Sequence, residues 1–441
     1  MLLKNCTAVE LSPARIVDYT DIRIEGTRIH DSGKVLAPQP GEETVDLSGK
    51  IVMPGLVCSH NHFYSGLARG IIADIKPAAD FVSNLANLWW TLDRALDEES
   101  LYYGGLICCA EAIRAGCTAV VDHHASPSFI SGSLDVLKRC FEKTGLRGVE
   151  CYEATDRNGP EGLEAGIEEN RRFALETIKE AGSNPDGRLV EALIGGHAPF
   201  TLPDAGLLAL ADVCGKTKRG FHAHVSEDLF DPSYSHRYYG LDPLKRLDNF
   251  GLLTDRTLIA HGLYMTKDEL SLLNERKAMI AHNCRSNMNN GVGYNENLKE
   301  IDMVCIGTDG IGSDVLEEMK FAYFKHRDAR GTLQPADFAG FLQNGNVLLS
   351  TCFSDKFGRI APGYKADLTV FDYHSPTPFE EENLAGHIVF GMSSKDVYSV
   401  IVNGEFVYTE NGFNSSLERV YRDARKAAGA LWKRFNRFTY H

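Results

Sequence analysis

The stretch "GLVCSHNHFYSG" (55–66) places His60 and His62 at the end of an apolar run that begins behind Pro54-Gly55. Side chains alternate along a strand, so residues two apart face the same way. Two imidazoles side by side make half of a metal site. Zinc and iron sites that support hydrolysis use three or four His and carboxylate ligands and keep one position for water, so further donors must come from distant segments. "FHAHVSED" (221–228) supplies His222 and His224 on one face, with Glu227 three residues beyond His224. In such an H-x-x-E arrangement the His can hold the metal while the Glu moves protons. "LIAHG" (258–262) ends in His261, which could orient a water or polarise a substrate, and "IGTDG" (306–310) offers Asp309. Taken singly, each His reads as a hydrogen-bonded structural residue rather than a ligand, and Asp309-Gly310 as an ordinary turn.

The elements that must position these residues are legible. Short apolar runs occur near 51–58, 118–122, 147–154, 190–195, 220–225, 257–260, 278–281 and 303–307, with helical patterns between most of them. "TKDELSLLNERK" opens with Thr266 and has Glu269 three residues on, a capping box. Eight strands alternating with helices predict an α/β fold, a (β/α)8 TIM-like barrel spanning 54–362. In such barrels the catalytic face is the C-terminal rim of the strands. Seven of the eight runs end in polar chemistry; the third, "VECYEAT", is ambiguous, with Glu153 near its end. Of the 15 histidines, His60, His62, His123, His124, His197, His222, His224, His261 and His282 fall at these ends. Chance would not collect them there, and taken jointly they favour a metal centre. In a closed barrel strands one and eight are neighbours, so His60 and His62 can meet Asp309. His123 and His124 point to opposite faces, which leaves one of them for a supporting role. His236, His326, His374, His387 and His441 read as structural. The Asn-rich "NCRSNMNNGVG" (283–293) is either a turn or a place where Arg285, Asn287 and Asn289 contact a polar heterocycle.

The chain ends read as β-structure. "VDYTDIRIEG" alternates, "KADLTVFDY" is a strand, and "VYSVIVNGEFVY" is a hairpin around Asn403-Gly404. Residues 1–53 and 363–412 are therefore expected to build one small β-sandwich domain from both chain ends, followed by a C-terminal helix over 413–441. The net charge of −14 argues against nucleic-acid or anionic-membrane partners, which want a basic face. No apolar stretch approaches the length that spans a bilayer, and "MLLKNCTAVEL" lacks the long apolar core of a secretion signal. Eleven Cys, an odd number with no C-x-x-C pair, suit reduced thiols and a cytoplasmic location.

In combination these motifs resemble the amidohydrolase superfamily, in the branch of guanine, cytosine and S-adenosylhomocysteine-type deaminases and triazine hydrolases, with SsnA-type aminohydrolases the nearest likeness. "PGLVCSHNH", "HAPFTLP", "HAHVSED", "LIAHGLYM", "AHNCRSNMNNGVG", "IGTDGIGSD" and "GRIAPGYKADLTVFD" follow that family's order over nearly the whole chain. The resemblance implies one divalent metal ion, Zn2+ with Fe2+ or Mn2+ as alternatives, held by His60, His62, His224 and Asp309. It implies Glu227 as proton shuttle, His261 and Asp309 as activators of water, and His197 as a substrate contact. It further implies a homodimer acting on a small heterocycle, by hydrolytic deamination. Cys284, where the family often has Pro, and Ile-Gly-Ser-Asp after Asp309-Gly310 depart from the pattern on the substrate side. The segment from Phe63 to Ser100, with Trp89 and Trp90, resembles the family's long loop after strand one; the Trp pair either covers the pocket, with Trp89 against substrate, or only packs. Two rival readings keep the fold. One is ring opening of a cyclic amide, as in two-metal relatives that carry a Lys at the end of strand four, where this chain has "IGGHAPF". The other is a scaffold without catalysis, which would not need every ligand position filled.

Overall fold

The computed structural model describes residues 1–413 and 419–438. Its centre is a set of eight parallel strands: Leu56–Asn61, Cys117–His124, Arg147–Tyr152, Val190–Ala192 continued by Ile194–Gly195, Phe221–Val225, Leu258–His261, Met279–His282 and Val304–Ile306. They pair in sequence order as two parallel sheets, the first four strands and then the rest. Two seams join the sheets. Thr308 and Asp309 donate backbone N–H groups to the His60 carbonyl at 2.9 and 3.1 Å, and His197 N–H donates to the Ala154 carbonyl at 2.9 Å. Helices such as Glu98–Arg114, Ser133–Thr144, Pro160–Ser183 and Asp204–Thr217 run between the strands. The expected capping box is present: Glu269 N–H reaches Thr266 Oγ1 at 3.3 Å and Thr266 N–H reaches Glu269 Oε2 at 2.9 Å.

Strand alternation sorts the side chains. Val57, Ala119, Val121, Val149, Cys151, Leu193, Leu258, Met279, Ala281 and Cys305 share an inner cluster, closed by Leu349 and Phe353 of the helix Pro335–Phe353 and by Phe357 just beyond it. Val120, Phe221, Ala223, Ile259, Ile280 and Ile306 face the helices instead. His123, Glu153, His222 and His224 continue the inward rows above that cluster.

The apolar run 51–58 is two strands rather than one. Ile51–Pro54 pairs antiparallel with Leu368–Phe371, while Leu56–Asn61 starts the parallel set. Gly55 makes the corner; a Cβ there would sit 2.0 Å from Thr118 Oγ1. Strands from both chain ends form one nine-stranded sheet, and the Asn403-Gly404 turn has positive φ at both residues, 51° and 81°. The helix Val420–Phe438 is fastened by Trp432 Nε1–H donating to the Leu67 carbonyl at 2.8 Å. Its expected extension to 441 and His441 lie outside the described residues.

One buried contact ties the end sheet to the parallel strands. Arg147, first residue of the third strand, meets Asp367 bidentately (Nε–Oδ2 2.7 Å, Nη2–Oδ1 3.0 Å) and Asn403 Oδ1 at 2.6 Å. Its guanidinium lies 4.8 Å from the Phe357 ring centroid. Arg147 and Asp367 side chains are 0% and 3% exposed. Removing one partner leaves the other charge buried without compensation. Asp367→Ala should therefore destabilise the fold by about 3–5 kcal/mol, read as a lowered urea midpoint at unchanged slope.

Candidate active site

The residues that could do chemistry sit where parallel strands end. His60 and His62 close the first strand with rings edge to face at 4.8 Å. His222 and His224 alternate inward on the fifth strand. Three ends turn through left-handed backbone: Ser226 (φ 51°), His261 (φ 73°) and Asp309 (φ 54°). Such positions cost non-glycine residues about 1–3 kcal/mol each. Neighbouring backbone bonds hold them: Leu263 N–H to the Ser226 carbonyl at 2.9 Å, Gly262 N–H to Val225 at 3.0 Å, and Asp309 N–H to His60 at 3.1 Å. The turn swings Glu227, His261 and Asp309 toward the same space.

His62 Nε2 lies 3.1 Å from Asp309 Oδ1 and 3.1 Å from His224 Nε2, and His60 Nε2 lies 4.0 Å from Asp309 Oδ1. His261 Nε2 is 3.6 Å from Asp309 Oδ2 and 3.5 Å from Glu227 Oε2. The opposite ring nitrogens decide the tautomers. His62 Nδ1 meets the His123 carbonyl at 2.6 Å and His224 Nδ1 meets the His197 carbonyl at 2.9 Å. A carbonyl can only accept, so both Nδ1 atoms carry protons and both Nε2 lone pairs converge. His60 Nδ1 faces His222 Nε2 at 3.0 Å, and His222 Nδ1 lies 3.7 Å from Cys151 Sγ.

Two imidazole lone pairs 3.1 Å apart repel unless a positive charge lies between them. The electrostatics say the same. Burial works against a charged His62, yet the Asp309 carboxylate beside it raises its pKa to about 9. Burial, then the His62 charge, lowers His224 to about 3. Burial opposes the Asp309 charge, but the surrounding imidazoles hold that carboxyl well below its usual range. His60 Nε2 and His261 Nε2 are buried without a hydrogen-bond partner. Tetrahedral ligands about 2.1 Å from zinc lie about 3.4 Å from one another, and the donor spacings of 3.1 to 4.0 Å bracket that value. The three-nitrogen, one-carboxylate set suits Zn2+, Fe2+ or Mn2+.

Around this set lies a cleft with Tyr64, Trp89, Trp90, Glu153 and His197 on its wall. Burial, then the nearby Asp309 charge, raises the Glu227 pKa well above its usual value, so this carboxyl can carry a proton. Burial raises Glu153 to about 7.

Of the residues singled out from sequence, His60, His62, His224, Asp309, Glu227 and His261 converge, and His197 and Trp89 line the same cleft. Arg285 and Asn287 do not. Arg285 Nε donates to Glu318 Oε2 at 2.5 Å, a second nitrogen pairs with Glu317, and Nη2 donates to the Ile311 carbonyl at 3.0 Å. The buried Asn287 holds His261 instead, its Oδ1 2.7 Å from His261 Nδ1. The reason is that Cys284–Asn290 is a helix and not a turn. Positions 286, 289 and 290 share the face toward the cleft. Ser286 and Asn290 escaped the sequence reading although that i, i+3, i+4 spacing was available. Ser286 Oγ donates to Asp309 Oδ2 at 2.6 Å, and Asn290 Nδ2 approaches Glu227 Oε1 at 3.4 Å. Between the adjacent histidines, His123 faces inward against His222, rings 4.5 Å apart, while His124 turns to Ser126 Oγ at 2.8 Å. His326 and His387 pair with Tyr294 and Tyr373, and His236 and His374 with Asp242 and Asp372, all away from the cleft. The segment 63–100 is helical over 81–95 and irregular over 66–80, with Phe81–Asn84 opened by an Asp80/Ser83 capping box.

The chain belongs to the amidohydrolase family: the Amidohydrolase family model matches residues 51–407. It is 30% identical over 435 residues, covering 96% of this chain and 97% of the other, to a 5'-deoxyadenosine deaminase of Methanothermobacter thermautotrophicus. It is 29% identical over 406 residues (90% of this chain, 89% of the other) to a 5-methylthioadenosine/S-adenosylhomocysteine deaminase of Pelotomaculum thermopropionicum. A crystal structure of an adenosine deaminase from Xanthomonas campestris with bound zinc superimposes with TM-score 0.82 at 22% identity, covering 98% of both chains. The fold is thus a TIM-barrel-like α/β fold, and the chain is a metal-dependent hydrolase of a family that binds a divalent metal.

If His60 is a ligand, His222 fixes its tautomer. His222→Phe should keep the packing but weaken divalent-metal affinity by about 10–100-fold, measured by competition with a chelator.

Proposed function

We propose that the protein hydrolytically deaminates a purine-type nitrogen heterocycle, at one divalent ion held by His60, His62, His224 and Asp309. The observation that carries this reading is the meeting of His62 Nε2 with Asp309 Oδ1 and His224 Nε2, with His60 alongside, next to the buried Glu227 carboxyl on the wall of one cleft. We further propose that the eight parallel strands act as a closed (β/α)8 barrel over 54–362. The end sheet, 1–53 with 363–412, would form a small β-sandwich domain, followed by a C-terminal helix over 413–441. The relatives' adenosine-type substrates favour a purine nucleoside or its base. Zinc is the first choice of metal, the protein works as a homodimer, and its eleven unpaired thiols suit the cytoplasm. No helix among the described residues is long and apolar enough to cross a membrane.

A bound divalent ion supplies Lewis acidity, lowering the pKa of water to near 7. The chain's own groups do the rest. Asn287 keeps His261 Nε2 aimed at the space beside Asp309 Oδ2, and these two atoms take the proton of the attacking water. Ser286 and Gly310 N–H, 2.6 and 2.8 Å from the two Asp309 oxygens, keep that carboxylate oriented. Glu227 gives its proton to a ring nitrogen as water adds to the carbon that bears the amino group. The proton taken up by His261 and Asp309 then passes to the departing nitrogen, ammonia leaves, and the hydroxyl proton of the adduct restores Glu227. Leu85, Trp89 and Trp90 present an apolar wall for a flat ring. Ring opening of a cyclic amide is the alternative; the fourth strand ends in Gly195, Gly196 and His197 without a lysine, which disfavours the two-metal form of that chemistry.

Ammonia release across purines, pyrimidines, pterins and triazines with the metal-loaded protein tests the reading; a ring-opened acid in place of ammonia would refute it. Chelation should abolish turnover, and one equivalent of metal per chain should restore it, as read by elemental analysis alongside rate. Glu227→Gln should retain the metal while kcat falls by about 10²–10⁴-fold; a normal rate in that variant would remove Glu227 from the proton path.

A further inference from the structure

Glu153 faces the cleft but has no task in the reaction above. It leaves the third parallel strand on the inward side, and its side chain is 4% exposed. His123 Nδ1 lies 3.5 Å from its Oε2 and His197 Nε2 lies 3.6 Å from its Oε1, both longer than a sound N–H···O bond. Glu153 Oε2 has no hydrogen-bond partner. The neighbouring Arg157 pairs through Nη2 with Asp93 and lies over the Trp90 ring at 5.2 Å, and its buried Nε makes no hydrogen bond to Glu153 or to any other group among the described residues.

His197 cannot supply the missing donor. Thr201 Oγ1 donates to the Ala198 carbonyl at 3.2 Å and therefore accepts from His197 Nδ1 at 2.7 Å. The ring proton sits on Nδ1, and the Nε2 lone pair is turned to the cleft. Ionised above a pKa that burial raises to about 7, Glu153 presents Oε1 beside His197 Nε2, so that two acceptors stand side by side on the wall. A buried acceptor pair without a donor is costly until a ligand brings one.

We infer that Glu153 and His197 Nε2 form a paired acceptor that selects substrates carrying a hydrogen-bond donor other than the amino group that leaves. The donor is either a ring N–H of the free base or the hydroxyls of an attached sugar. This rests on the purine deaminase reading and names what that purine must carry.

Adenine, adenosine and 9-methyladenine separate the cases: the first has the ring N–H, the second the hydroxyls, the third neither. Two of the chain's three tryptophans, Trp89 and Trp90, line the cleft, so quenching of their fluorescence reports binding, and ammonia release reports turnover. The metal-loaded wild type should bind adenine or adenosine about tenfold or more tightly than 9-methyladenine, the scale of a charged hydrogen bond. In Glu153→Gln that ratio should collapse to about twofold or less with metal content unchanged, and Glu153→Asp should fall between. A collapse seen with adenine assigns the ring N–H; one seen with adenosine assigns the sugar. Ammonia release from any of the three with an unchanged ratio in Glu153→Gln overturns this inference and leaves the deaminase reading standing. Neither binding nor ammonia release from any of the three overturns the purine class and this inference together.

Discussion

The Asp309 carboxylate is the charge on which the rim of the strands depends. Several imidazoles are buried within about one ring's width of each other, and the lone pairs of His62 and His224 aim inward because backbone carbonyls hold their other nitrogens. Neutral imidazole lone pairs can ligate a cation by themselves, and the carboxylate among them adds a negative charge that strengthens the attraction. Asp309 reaches that place through a left-handed residue whose N–H bonds to the His60 carbonyl. The bond that joins the eighth strand to the first is therefore also the bond that brings the aspartate to the histidines. The seam of the sheets and the geometry of the site are one structural event.

Much of this was legible from the residues alone. Period-two alternation placed His60 with His62 and His222 with His224, and the gathering of histidines at strand ends pointed to the rim. Other features depend on partners far along the chain. Arg285 reads locally as a free cation beside asparagines, but Glu317 and Glu318, more than thirty residues on, neutralise it. The Asn-rich segment reads as a turn because its propensity is poor, yet packing and the Gly291 C-cap, at φ 65°, make it helical. The boundary at 53/54 was legible from Pro54-Gly55, whereas the need for glycine at the corner answers to Thr118, a contact between strands. The helices of 63–100 had a local signal, Asp80 with Ser83 and Asp97 with Ser100, which the reading of that segment as a loop passed over.

The two ends of the parallel strands divide the labour. At the rim, polar side chains, left-handed backbone and unpartnered nitrogens are concentrated, each unfavourable for stability. At the other end the interior is hydrocarbon and sulfur, stoppered by Phe353 and Phe357, with Arg147 spread over the stopper and clasped to Asp367. The fold tolerates an expensive rim because its base is tightly closed.

The antiparallel pairing of Ile51–Pro54 with Leu368–Phe371 joins segments made far apart in time. At ribosomal speeds of about 5–20 residues per second, roughly 15–65 s separate the emergence of the two strands. During that interval the early strand carries an unsatisfied edge and a bare apolar face. A nascent chain of this kind keeps that edge open until its last quarter is translated, and shortening it from the distal end would strand the beginning as well as the end.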